Sequence, residues 1–312
     1  FGCEFQGGVD IVVQALKNSS TKLRLVFGES VSETLSSIGE KNATNDHALR
    51  DFTLDIQNMS HIESGNTGYR FLKLEAQCGE ISVSSVQGIS RFRNLEYLGE
   101  FYCSDERLNE IWKVGARTVH LNMQEYLWDG IKRDRLVWIG DLHPEIATIQ
   151  TVFGDQKIIR DSLDYVVSET PDGAWMNDIP SYSMWWIIIQ HDYFMQFGNT
   201  EYLKKQLPYM KRLCRMLSAQ IGADGQDITP QMRFVDWPTK DNKDAVDTGL
   251  QALHVLAMRC AAHLFRLCGE DDAAAQCQKD YEALRKWQVH LVQAKQSNAL
   301  AVWAGLLDAK ET

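Results

Sequence analysis

The stretch SDERLNEIWKVGARTVHLN, residues 104–122, is where the chain changes its periodicity. Leu108, Ile111, Trp112, Gly115 and Val119 recur at the intervals that line one face of an α-helix. Ser104 is expected to cap that helix, since a hydroxyl there accepts from a free N–H of the first turn. Downstream, helical spacing continues over about 142–153, 155–168, 184–197, 200–221, 247–268 and 271–294, with a start at 297. The segment 200–221 is the clearest: Leu203, Leu207, Met210, Cys214, Leu217 and Ile221 make one stripe, behind the break Gly198-Asn199-Thr200. Pro208 within it predicts a kink or an early first turn.

Upstream the pattern is different. Val9–Leu16, Lys22–Phe27, His47–Ile56, Tyr69–Ala76 and Ile81–Ser90 are rich in β-branched and aromatic residues with partial alternation. Leu72, Leu74 and Ala76 face one way, Lys73 and Glu75 the other. Polar stretches such as Glu63-Ser64-Gly65-Asn66-Thr67-Gly68 are expected to separate the strands. Strands followed by helices argue for two domains rather than an α/β weave: an antiparallel β-sandwich over 1–103 and a helical domain over 104–312.

Composition narrows the function. Hydrophobic residues at 44% supply a core, and a net charge of −10 opposes attraction to nucleic acid or anionic membranes. No run of 18 apolar residues occurs, so no membrane insertion is expected. The seven cysteines include no CxxC pair and suggest neither a zinc site nor a disulfide framework. GxGxxG, P-loop, GxSxG and HExxH patterns are absent, leaving nucleotide, serine-hydrolase and zincin chemistry without support. The chain opens on Phe1 with no signal-peptide pattern, so it is expected to be part of a longer or processed polypeptide.

The chemistry is concentrated in WDGIKRDRLVWIGDLHPE, residues 128–145. Asp129, Asp134, Asp141 and Glu145 stand there among Lys132, Arg133 and Arg135, flanked by Trp128 and Trp138. Carboxyls mixed with fixed cations can differ strongly in proton affinity. Glycosidic cleavage needs that difference, with one carboxyl protonating the leaving oxygen and another ionised. A salt-bridged loop that fixes a helix bundle accounts for the same residues.

This segment resembles the signature of bacterial α-L-rhamnosidases, glycoside hydrolase family 78, in the order Asp129, Arg133, Asp134, Trp138, Asp141. Further likenesses follow in the family's order: FGCEFQGGVDIVV (1–13), GYRFLKLEA (68–76), SDERLNEIW (104–112), RFVDWP (233–238) and SNALAVWAGLL (297–307). The resemblance implies a β-sandwich followed by an incomplete (α/α)6 barrel, and inverting hydrolysis of terminal α-L-rhamnose without metal or other cofactor. Asp134 falls in the general-acid position, while Asp129 and Asp141 fall where the family places rhamnose-binding acids. Arg133 would hold or tune one of these carboxylates; Trp138, Trp186 and Trp237 would wall the sugar. Glu145, Asp178 and Asp236 are further substrate-binding candidates, Glu145 also being the alternative donor. The family's donor is usually Glu, so Asp134 is one methylene short. Twelve helices close such a barrel and at most eight are read here, so the general base is expected beyond Thr312.

The expected partner is a carbohydrate, with homodimerisation allowed. The compartment stays open, with a soluble periplasmic or extracellular setting favoured over the cytoplasm. A related barrel hydrolase for another sugar, and a carbohydrate-binding protein with a degenerate site, are the alternatives. Among other residues, His143 is expected to make a loop hydrogen bond and His191-Asp192 a buried polar contact. Trp112, Trp287 and Trp303 are expected in the core.

Overall fold

The computed structural model describes residues 1–17, 20–40, 50–230 and 232–310. They form two compact units, Phe1–Val137 and Trp138–Thr312.

The first unit is built on β1 (Phe5–Leu16), β2 (Ser20–Gly28), β3 (Asp51–Gln57), β4 (His61–Tyr69), β5 (Phe71–Ala76) and β6 (Ile81–Ser90). Two antiparallel three-stranded sheets result, ordered β4-β1-β6 and β3-β2-β5. Alternation sends Val9, Ile11 and Val13 inward from one sheet, and Leu23, Leu25 and Phe27 inward from the other. With Phe5, Ile56 and Tyr69 they fill the sandwich. The start of the expected strand at His47 lies outside the described residues, and the strand is seen from Asp51.

One expectation is overturned here. Glu63–Gly68 is no separator but the middle of β4, paired with β1 from Phe5↔Tyr69 to Val12↔His61. Its glycines serve packing rather than a turn. Gly65 has φ +92° and lies against Phe27, where a Cβ would come within 2.7 Å of the ring.

A short helix, α1 (Val31–Leu35), precedes the long α2 (Glu106–Asn122). The cap of α2 is Asp105, not Ser104, and its carboxylate accepts from Arg107 N at 2.9 Å. Asn109 bonds both backbone groups of Cys103, fixing the entry of the helix. The stripe that announces α2 is not its buried face. Leu108, Ile111 and Val114 are exposed, Ile111 by 56%, while Asn109, Ala116 and Leu121 are buried. Arg117 bonds the carbonyl of Glu4 and helps tie α2 to the sandwich, so the units divide at Val137 although the secondary structure changes near residue 104.

Among the described residues the second unit carries α3 (Leu142–Val152), α4 (Lys157–Glu169), α5 (Pro180–Phe197), α6 (Thr200–Ser218), α7 (Lys243–Leu267), α8 (Asp271–Leu284) and α9 (Lys295–Trp303). α7 is buried along most of its length and packs on α5, α8 and α9. α6 carries the expected stripe as far as Leu217 and runs through Pro208, but it ends at Ser218, leaving Ile221 outside the helix in a bridge with Asp227. α8 stops ten residues before the expected 294. Gln251 of α7 donates to the carbonyl of Leu284 at 2.7 Å, satisfying a group that another turn would have used. All seven cysteines are free thiols. Among the described residues no helix is long and apolar enough to cross a membrane.

Candidate active site

The acid-bearing segment passes from one unit into the other. In the first unit it leaves α2 as a loop closed on itself: Asp129 N donates to Leu136 O (3.2 Å) and Leu136 N to Asp134 O (2.8 Å). Sequence-distant contacts pin this loop to the sandwich. Gly68 N donates to Ile131 O (3.0 Å), Arg135 to the carbonyl of Asn66, and Lys132 to Glu29 and Glu33. Arg135 also lies over the ring of Trp128, 5.4 Å from its centroid. Asp134 is partly exposed and accepts from Arg133 Nε at 3.0 Å. Its φ is +53°, a left-handed backbone that a β-carbon makes costly.

Asp129, Arg133 and Asp134 border a hollow of about 890 Å³ with Glu4, Glu29, Arg70 and Lys132. Burial, reinforced by a hydrogen bond and repulsion from Glu29, pushes the Glu4 carboxyl up to about 7. The native chain therefore holds this proton more tightly than the unfolded chain does. The stability it contributes is fully present below the ordinary carboxylate value and is lost as pH rises through about 7. Urea denaturation at about pH 5 and about pH 8 should show the loss in the native sequence. Glu4→Gln should remove that part of the pH dependence, and an unchanged slope would reject the assignment.

In the second unit the candidates gather where the N-terminal ends of helices meet. Asp141 stands at the N-cap position of α3 but makes no cap bond; its Oδ2 accepts from the Tyr182 hydroxyl in the first turn of α5 at 2.9 Å. Asn177 Oδ1 accepts from Ile139 N at 3.1 Å, and Ser181 donates to Phe234 O at 2.6 Å. Asp236 accepts from Trp237 N (2.7 Å) and from Gln296 at the start of α9. Ser297 of α9 donates to Ala245 O in the first turn of α7 at 2.7 Å. The starts of α3, α5, α7 and α9 are thus cross-linked, and Asp141 and Asp236 sit within the links. Positive helix termini favour such anions.

Asp178 is exposed beside this cluster, and Asn177 and Asp178 both have positive φ, 52° and 62°. Three of the four non-glycine residues with positive φ among the described residues are thus Asp134, Asn177 and Asp178. Strained backbone at such positions is a recurrent mark of functional sites. Trp237 is 69% exposed, edge-on to Phe234 and under Lys240 Nζ. Its segment is anchored by Arg233, which donates to Asp227 and Asp247 at 2.9 Å each, while His254 contacts the other Asp227 oxygen at 2.8 Å. Burial opposes charge on Asp227, but His254 and Arg233 outweigh it and hold its carboxyl below the ordinary value.

Several expected residues fall elsewhere. Trp186 is fully buried and packs edge-on against Tyr209 of α6, so it offers no face to a sugar. Glu145 is buried in the first turn of α3. His143 belongs to α3, not to a loop, and contacts Asp192 of α5 at 3.1 Å. Asp192 also meets His191, a polar contact that is half-exposed rather than buried as expected; partial burial opposes the charge on Asp192, but bonds from the two histidines hold its carboxyl down at about 2. Trp303 is 40% exposed rather than core. Trp138 is half-buried, edge-on to Tyr182 at 6.3 Å. Tyr182, Asn177, Phe234 and Gln296 were not singled out by any sequence signal. Among the described residues, the group able to hold a metal is Asp10, His61 and Glu63 on β1 and β4, whose ligand atoms lie within 4.8 Å of one another.

Residues 96–302 match the family model of the bacterial α-L-rhamnosidase six-hairpin glycosidase domain. The chain belongs to this family. It is thereby a rhamnosidase-like member of a glycosidase family, with the β-then-α architecture expected. Solved structures agree in fold. A rhamnosidase from Klebsiella oxytoca with rhamnose bound is 17% identical, with TM-score 0.84 over 100% of this chain and 68% of that one. A family 78 rhamnosidase from Bacillus sp. GL1 is 19% identical, with TM-score 0.81 over 99% of this chain and 35% of that one. The chain thus spans about two thirds of the first and about a third of the second. A comparison with curated protein sequences found no match.

Proposed function

We propose that this chain carries the acid side of an inverting α-L-rhamnosidase, which releases terminal α-L-rhamnose from glycosides or polysaccharides. One observation carries the reading: the carboxylate-rich segment 128–145 lies inside the stretch matched by the rhamnosidase family. The rhamnose bound to the Klebsiella relative supports the choice of sugar.

In this reading Asp134 gives its proton to the departing glycosidic oxygen as the bond to the anomeric carbon breaks. A water attacks that carbon from the opposite face and loses its proton to a general base, which is assigned to no residue of this chain. Asp129 and Asp141 accept hydroxyls of the sugar, and Arg133 holds the Asp134 carboxyl. Arg133 Nε donates to one Asp134 oxygen, so the proton to be given sits on the other oxygen and passes from there to the glycosidic oxygen. Trp138 and Trp237 supply faces for the C–H surfaces of the ring, and Asp178 and Asp236 are the outer hydroxyl acceptors.

Release of the aglycone from an aryl α-L-rhamnoside by the full-length protein tests the reading, against a panel of other aryl glycosides. Turnover of another sugar in preference to rhamnose would replace it with the neighbouring hydrolase reading. Saccharide binding without turnover would replace it with a degenerate binding site. Trp237→Ala should raise KM for the rhamnoside about tenfold, the loss of one stacking face, with little change in melting temperature because the indole is exposed. An unchanged KM would remove Trp237 from the site.

A further inference from the structure

We infer that Tyr182 is the positioning residue that sets the direction of the Asp141 carboxylate, and through it the fit of the sugar. The inference rests on the reading of Asp141 as a hydroxyl acceptor.

Asp141 is at the N-cap position of α3, where an aspartate ordinarily turns back to cap its own helix. It does not do so here. Its Oδ2 is taken instead by the hydroxyl of Tyr182, 41 residues away, at 2.9 Å. A neutral donor on a carboxylate oxygen restricts rotation of the carboxylate plane and is a strong class of hydrogen bond.

The tyrosine itself has little freedom. Its side chain is 7% exposed. On one side the ring lies against bare backbone at Gly140, where a Cβ would stand 2.2 to 2.7 Å from three ring carbons. Trp138 meets it edge-on at 6.3 Å and 84°, and Phe234 lies 6.3 Å away at 58°. A single ring therefore touches the segment that carries Trp138 and Asp141, and the residue two before Asp236. Gly140 is explained by the same contact: any side chain there would displace the ring and carry the hydroxyl away from Asp141.

The test measures L-rhamnose binding by calorimetry and aryl rhamnoside kinetics on the full-length protein with Tyr182→Phe, Asp141→Asn and both together. Tyr182→Phe keeps the ring and removes only the hydroxyl. It is expected to weaken rhamnose binding about tenfold and to raise KM more than it lowers kcat. Its melting temperature should stay near that of the native protein. In the double variant the two losses should not add, because the hydroxyl acts on the sugar through Asp141. Gly140→Ala, with Tyr182 intact, should reproduce the binding defect. Native-like binding by Tyr182→Phe beside a defective Asp141→Asn would overturn the positioning role and leave the site reading standing. Losses that add in the double variant would show Tyr182 acting independently of Asp141, which also overturns it. Unchanged binding in Asp141→Asn would end the reading of Asp141 and the inference with it.

Discussion

Asp134→Asn is expected to lower hydrolysis of an aryl α-L-rhamnoside by about a hundredfold to ten thousandfold, the range a general acid contributes. The substitution reads chemistry rather than folding. Asparagine has the same shape, its amide oxygen can still accept from Arg133 Nε, and it is among the residues that best tolerate the left-handed backbone at φ +53°. What it lacks is a proton to give. The loss should therefore grow with the need for protonation, being smallest for a nitrophenyl leaving group and largest for an alkyl one. Asp134→Glu should raise the rate, since it restores the methylene that rhamnosidases of this type usually carry, and about 1 Å of misplacement can cost about a hundredfold. Asp129→Asn should weaken binding and rate together. Full activity in Asp134→Asn would remove the donor assignment.

Trp186→Ala is expected to cost about 3–5 kcal/mol of stability, the range for deleting a fully buried tryptophan. The indole has no exposed surface and meets Tyr209 with ring centroids 5.2 Å apart, so its removal opens a cavity between α5 and α6. Urea denaturation measures the loss. Rhamnose affinity of the molecules that remain folded should be native, because no face of Trp186 is available to a ligand. The contrast with Trp237→Ala is the point of the pair. One tryptophan should change stability with binding intact, the other binding with stability intact, and exchanged phenotypes would contradict the geometry.

The direction in which Trp186 points is not encoded in its own helix. Neighbours on a helix point about 100° apart, so Trp186 and Trp185, the residue before it in α5, cannot share a face. Choosing between them needs a polar side to the helix, and α5 has almost none: Met184 and Trp186 through Ile189 are all buried. A helix apolar on most sides carries no direction in its sequence. In α2, too, helical spacing leaves the buried face undecided. Leu108 and Ile111 have correct helical spacing, yet the face that meets the rest of its unit is the one with Asn109, Ala116 and Leu121. Periodicity reports that a helix forms, and burial is decided by what lies beside it.

By itself the sequence determined that strands precede helices, the bounds of most helices to within a few residues, and the spacing of Asp129, Asp134 and Asp141. Each of these depends on residues near one another in the chain, through backbone periodicity or a contiguous motif. The tertiary structure alone decided that Glu63–Gly68 is a strand, that α8 ends at Leu284, and that Tyr182, Phe234 and Gln296 stand beside the acids. Those outcomes come from contacts between distant segments, as Gly65 with Phe27, Gln251 with Leu284 and Gln296 with Asp236. Such contacts form only when the chain has closed long loops, and no local pattern of residues encodes which distant partner will be there.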